Sequence, residues 1–341
     1  MLLIGSRAIV HYFPDFRPPR DWDLFGTGEE VAMLAQRLPP MEDKSPQPHK
    51  SHFYYGDAMV EVVDIDHSPE WAKVYEAFRD QPTIDDPVLG TLTLAPPAFL
   101  MLTKQTGLIY RILHWHKNLE DLYFLRDRIT SVPDIVAQVM PYVLADSRKL
   151  FAESTAEAMR AVEPCYVDDP TRAWAPRTPL HSELHALLAG DGHPLVSESG
   201  AWQGYPDATP EARRERMIRL FAEEATVLAA ERWLTRGFHA RGDDERTATR
   251  WGVRNLIQSR LPEGWRYFGV NHYREIIAGI PSGWSTRIES LRERYPRPET
   301  PCTLTPVELD CAACPTLTSR CGEQRAWAGN AASPHRVRAC R

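Results

Sequence analysis

Asp21 and Asp23 flank Trp22, with Leu24 directly after them: two carboxylates two residues apart in an apolar setting. Alternate side chains of a strand share a face, so both carboxylates project the same way. Like charges so placed repel unless a cation lies between them, and oxygen donors of this kind suit Mg2+. Trp22 and Leu24 make a strand with one polar face the natural reading. Upstream, Leu2-Leu3-Ile4 is a short apolar run ended by Gly5-Ser6, as expected for a buried strand entering a turn. Such a turn brings backbone N–H groups and a hydroxyl close to a ligand, and a helix after it adds a positive dipole end. That environment suits a phosphate; an N-cap role for Ser6 is the plainer alternative. Downstream, Glu61 sits in the strand-like run from Ala58 to Ile65, with Asp64 out of phase as its rival. A third carboxylate there either completes a two-metal site or takes a proton from an attacking hydroxyl.

Together, Ile4-Gly5-Ser6, Asp21-Trp22-Asp23-Leu24 and Val60-Glu61-Val62 resemble the three motifs of the DNA polymerase β-like nucleotidyltransferase superfamily, an hG[GS] turn, [DE]h[DE]h and h[DE]h, in order over about residues 1–125. The resemblance implies Mg2+-dependent transfer of a nucleoside monophosphate from an NTP to an acceptor hydroxyl, with release of pyrophosphate. It implies Gly5, Ser6 and Arg7 at the triphosphate, Asp21 and Asp23 on the metals, and Glu61 activating the acceptor. Lys104, Arg111, His116-Lys117 and Asp121 resemble the basic helices of toxin-type nucleotidyltransferases. By that likeness Lys104 contacts triphosphate, Asp121 orients a basic residue and Lys117 belongs to the nucleotide site. Asn118 stands where the pattern has its first Asp, so the match is partial, and the same residues also read as the wet face of a helix. The layout is also similar to nucleotidyltransferase-like proteins of large bacteriophages, a likeness of fold that names no substrate.

At 341 residues the chain has room for two domains and an appendage. The pattern predicts an α+β protein: a small mixed-sheet domain over 1–130, a mostly helical domain over 131–295 and a Cys-rich tail over 296–341. Within the first, Ala8 to Phe13 reads as a helix, Trp22 to Phe25 as a strand and Gly28 to Leu38 as a helix. His52 to Tyr55 and Ala58 to Ile65 read as strands around the hairpin signal Gly56-Asp57. Helical spacing follows over Pro97 to Tyr110, Leu113 to Arg128, Val132 to Leu150, Leu180 to Leu188, Pro210 to Trp233 and Thr247 to Arg260. No apolar run approaches the ~18–20 residues that span a bilayer, and no cleavable leader is evident, so a cytoplasmic protein without a membrane partner is expected. A net charge of −6 argues against a broad electrostatic grip on nucleic acid.

Five of the six cysteines crowd the tail, and Cys302, Cys311, Cys314 and Cys321 are separated by eight, two and six residues. Four thiolates in a loop-rich segment match tetrahedral Zn2+ and equally a [4Fe–4S] cluster, with Cys340 or His335 as substitutes for Cys302. The C-x2-C-P-x5-C core resembles cluster loops of some DNA-repair glycosylases and nucleases. The alternative to a transferase is therefore a nucleic-acid-binding or repair module on an inert fold. The acceptor is a nucleic-acid end, a protein side chain or a small molecule, and the sequence does not choose. Elsewhere the plainer readings prevail. His181 and His185 lack a third metal ligand, Glu223, Glu224, Glu231 and Arg232 read as a solvated ion-paired helix face, and Trp202, Trp233, Trp251 and Trp265 read as core.

Overall fold

A computed structural model describes residues 1–41, 49–110, 115–158, 179–188, 207–235, 244–258, 261 and 263–295. The tail cysteines, Arg111 and Trp202 lie outside these residues. The chain divides into two compact units, one built from residues 1–103 and 124–158, the other from 104–123 and the described residues beyond 158.

The first unit runs β1 (Leu2–Ile4), α1 (Gly5–Tyr12), β2 (Asp21–Gly26), α2 (Gly28–Ala35), β3 (Lys50–Tyr55), β4 (Ala58–Asp64), α3 (Pro69–Ala77), β5 (Thr83–Asp86) and β6 (Gly90–Leu94). The strands form one mixed sheet in the order β3-β4-β2-β1-β6-β5. β1 pairs antiparallel with β2 and parallel with β6, β2 pairs parallel with β4, and β3–β4 and β5–β6 are antiparallel. Strand alternation divides the sheet's residues. Leu3, Trp22, Leu24, Phe53, Val60 and Val62 share the face that is buried throughout. Asp21, Asp23, Glu61 and His52 share the other.

Thr27 and Glu30 close a reciprocal capping box at the start of α2, which sets the exit from β2. Gly56, at φ 59°, makes the two-residue β3–β4 turn, a left-handed conformation that favours glycine. Along its outer side β3 is itself partly paired: Met41 N–H donates to the His52 carbonyl and Tyr54 N–H to the Pro39 carbonyl, around a bridge between Pro40 and Phe53.

Helices α4 (Pro97–Tyr110), α5 (Trp115–Arg126) and α6 (Asp134–Ala158) follow. α6 packs on α3, and its Val136, Val139 and Val143 are buried in the sheet's core. The second unit holds α7 (Pro179–Leu188), α8 (Pro210–Thr235), α9 (Glu245–Ile257), α10 (Glu263–Asn271), α11 (Tyr273–Gly279) and α12 (Trp284–Arg287). Leu184, Val227, Leu234, Ala248 and Trp284 centre its core. α9 lies hard against α8 because Gly252 has no side chain: a β-carbon there would stand 2.2 Å from the Ala225 carbonyl oxygen. No helix among the described residues is long and apolar enough to cross a membrane.

The mixed sheet and the mostly helical remainder agree with the architecture expected from the sequence. α3, β5 and β6 were not foreseen. Trp233 is buried, whereas Trp251 and Trp265 are half-buried. The solvated face expected of α8 needs correction. Glu224 and Arg232 are 3% and 4% exposed, because α7 and α9 enclose that side of the helix. The two α7 histidines face the glutamates of this side. His181 Nε2 lies 2.7 Å from Glu231, and His185 Nε2 lies 3.0 Å from Glu224.

Candidate functional site

The Gly-Ser turn and the paired aspartates meet at one end of β1 and β2. Ile4 is the register partner of Asp23, and Asp23 in turn is the partner of Glu61 on β4. Three consecutive strands therefore carry the turn, the aspartates and Glu61 side by side. Gly5, at φ 67°, opens α1 immediately after the strand, and a β-carbon on it would stand 2.0 Å from Asp23 Oδ2. Only glycine lets the carboxylate come that close to the helix start, where the exposed N–H dipoles favour negative charge. Asp21, two residues earlier on the same face, is tied through its backbone: its carbonyl accepts from Arg7 Nε at 3.2 Å.

Arg7 reaches that carbonyl from α1 with its guanidinium 4.0 Å above the Trp22 ring. Burial draws the Arg7 group below its ordinary value, and the carboxylates of Asp21, Asp86 and Asp23 oppose that shift. Arg7 is thus fixed by stacking and by a backbone bond, and it clamps α1 to the strand that carries the aspartates. Ser6 is buried at 3% exposure, and its hydroxyl accepts from Arg17 Nη2 at 2.7 Å. The guanidinium of Arg17, from the α1–β2 connection, therefore stands beside the Gly-Ser turn. Arg17 escaped the sequence reading because its loop carries no periodicity.

Glu61 is turned toward β3. Its Oε1 accepts from Lys50 Nζ at 2.8 Å, and its Oε2 lies 3.1 Å from His52 Nε2. Burial by itself would raise this carboxyl, but the bonds and charges of His52 and Lys50 more than offset it and hold it at about 2. A carboxylate that weakly basic is a poor proton acceptor at neutral pH. Among the described residues, no three His, Cys, Asp or Glu side chains come close enough together to hold a metal ion. The two aspartates have the oxygen chemistry for a divalent cation, but Glu61 as oriented does not join them. Lys50 and His52 were missed as site residues; the strand alternation placing both on the Glu61 face was the available signal. Asp64 is engaged elsewhere: it accepts from Asp66 N–H, lies 3.1 Å from His67 and caps a single 3-10 turn.

In the second unit, Lys104 Nζ stands 2.9 Å from Asp121 Oδ2 and donates to Asn118 Oδ1 at 2.9 Å. Asp121 is 1% exposed, so α5 holds the lysine by a buried carboxylate, with Asn118 supplying a neutral second acceptor. Lys117 is half-buried and has partners of its own, and His116 is buried.

A family described as "Domain of unknown function (DUF7277)" matches residues 1–77, the stretch from β1 through α3 that carries Gly5, Asp21, Asp23 and Glu61. No curated protein matches the chain.

Proposed function

We propose that the first unit is a metal-dependent nucleotidyltransferase that moves a nucleoside monophosphate from an NTP to an acceptor hydroxyl. The observation that carries this reading is the register Ile4–Asp23–Glu61, with Gly5 stripped of a side chain where Asp23 approaches. Asp21 and Asp23 would hold Mg2+, which when bound supplies charge neutralisation and polarisation for the phosphates. The start of α1 presents N–H groups to phosphate oxygens. Arg17, one hydrogen bond from Ser6, adds positive charge beside that turn. Arg7 keeps the aspartate-bearing strand fixed against α1. The acceptor class stays open among nucleic acid, protein and small molecule.

Incubating the full chain with each α-32P-labelled NTP, Mg2+ or Mn2+, and RNA, DNA and protein extracts tests the assignment. Metal-dependent label on one acceptor class is expected, lost in Asp21→Asn/Asp23→Asn while the circular dichroism spectrum stays unchanged. Full transfer by that double variant would move the chemistry elsewhere. Mg2+-independent DNA binding without transfer would favour the binding-module alternative.

A further inference from the structure

Nucleotidyl transfer needs a group to take the proton of the attacking hydroxyl, and Glu61 is poorly placed for it. Both of its oxygens are occupied, by Lys50 at 2.8 Å and by His52 at 3.1 Å. Cross-strand register sets this arrangement: His52 on β3 is directly opposite Glu61 on β4, and Glu61 is opposite Asp23 on β2. The imidazole therefore lies on the aspartate face, about 10 Å of backbone spacing from Asp23, two strand separations away. Glu61 stands between the two in register, with its carboxylate drawn to the β3 side by Lys50 and His52.

We propose that His52 accepts the proton of the acceptor hydroxyl, and that Glu61 is a positioning residue for His52 and neither the base nor a metal ligand. This rests on the nucleotidyltransferase reading above. With Nε2–H donated to Glu61, the tautomer is set and Nδ1 presents its lone pair; among the described residues the ring has no other partner. The His52 side chain is 10% exposed, so the ring is held by its surroundings while part of its surface stays open. Imidazole is the side chain whose ordinary titration falls near neutral pH, which suits a general base. Among the described residues, the charged groups on this face of the neighbouring strands are Lys50 on β3, Glu61 on β4, and Asp21 and Asp23 on β2. Pro39, Pro40 and Met41, on the outer side of β3, bring no ionisable side chain. Lys50 keeps Glu61 anionic, and the carboxylate in turn stabilises the imidazolium that forms.

The step balances without a further reagent. The hydroxyl proton passes to His52 Nδ1, and the acceptor oxygen forms a bond to the α-phosphorus. The bond from that phosphorus to the bridging oxygen of the β-phosphate breaks, and its electron pair leaves with pyrophosphate. The imidazolium then returns its proton to water.

The test uses the full chain with the NTP and acceptor found by labelling. His52→Gln should lower kcat by roughly 100- to 10,000-fold, the usual worth of a general base. Its KM for NTP and its Mn2+ binding, read by electron paramagnetic resonance, should not change, and the acid limb of the wild-type pH–rate profile should vanish. Glu61→Gln should keep Mn2+ binding and the KM for NTP but lower kcat, because the carboxylate that orients the imidazole and offsets its forming charge is gone. In wild-type protein, 15N shifts of His52 should report the Nε2–H tautomer. An unchanged rate in His52→Gln, loss of Mn2+ binding in Glu61→Gln, or an Nδ1–H tautomer each overturns the proposal and leaves the transferase standing. Absence of any NTP-dependent label with wild-type protein overturns the transferase reading, and this proposal with it.

Discussion

Gly5 and Asp23 are in contact across the β1–β2 pair so closely that the glycine's missing β-carbon would lie 2.0 Å from the carboxylate's Oδ2. The contact ties the backbone conformation of the turn to the position of one acidic side chain. An alanine at this position meets two penalties at once. A left-handed conformation costs roughly 1–2 kcal/mol for a residue with a β-carbon. Overlap with Asp23 adds about 1–3 kcal/mol unless the carboxylate swings away.

Gly5→Ala should therefore lower unfolding free energy in denaturant titrations. In an Asp23→Ala background the same change should cost less, since the overlap is gone. Equal costs in the two backgrounds would show that the contact carries no energy.

Glu61 links stability to pH through a depressed carboxyl, held at about 2 against an ordinary 4.5. The folded chain prefers the ionised form, so this contribution is fully present above pH 4.5 and is lost as pH falls toward 2. Glu61→Gln should destabilise by on the order of 2 kcal/mol at pH 7, and the gap to wild type should narrow steadily between pH 4.5 and 3. A pH-independent gap in urea titrations over that range would show that Lys50 and His52 do not hold the carboxylate.

Glu223 has the opposite sign. Burial chiefly, with help from Glu224 and against the pull of Arg219 and His185, pushes its carboxyl up to about 7. The folded state then favours the protonated form, so ionising it costs stability progressively from pH 4.5 to 7 and fully above. Glu223→Gln should stabilise the protein at pH 8, by on the order of 2 kcal/mol, and change little at pH 4.5. Equal gains at both pH values would mean that the effect comes from packing.

The tail prediction stands on sequence. Cys302, Cys311, Cys314 and Cys321 should bind one metal centre, because a proline-rich sequence with few apolar residues has little to build a core from. Thiolate–metal bonds supply roughly 10 kcal/mol in structural zinc sites. Elemental analysis of anaerobically purified protein should find near-stoichiometric zinc or iron, and a brown colour would select the cluster. Finding neither ends the idea.

Local pattern was enough to find the Gly-Ser turn, the aspartates and the strand of Glu61, because each sits within an alternation of apolar and polar residues a few positions long. Helix α4 was read to its end residues, and α8 to within two. What stayed hidden depends on pairing at a distance. That Lys50 and His52 bracket Glu61 follows from the β3–β4 register, which the Gly56 turn sets. The burial of Glu224 and Arg232 follows from α7 and α9 closing over α8, and nothing in the helix's own spacing announces it. β5 and β6 are short, and Thr83–Asp86 is too polar to stand out as a strand.

The segment that leans on β3 has a consequence for how molecules of this protein meet one another. A sheet's outermost strand normally offers a ladder of unpaired amides and carbonyls on which a second chain can template. Here the His52 carbonyl and the Tyr54 amide are already engaged by Met41 and Pro39, and Pro39 and Pro40 have no amide hydrogen to pass the ladder on. Among the described residues, the ladder beyond β3 thus ends at imino acids, which disfavour strand addition at that point of the border without any charge being spent on it.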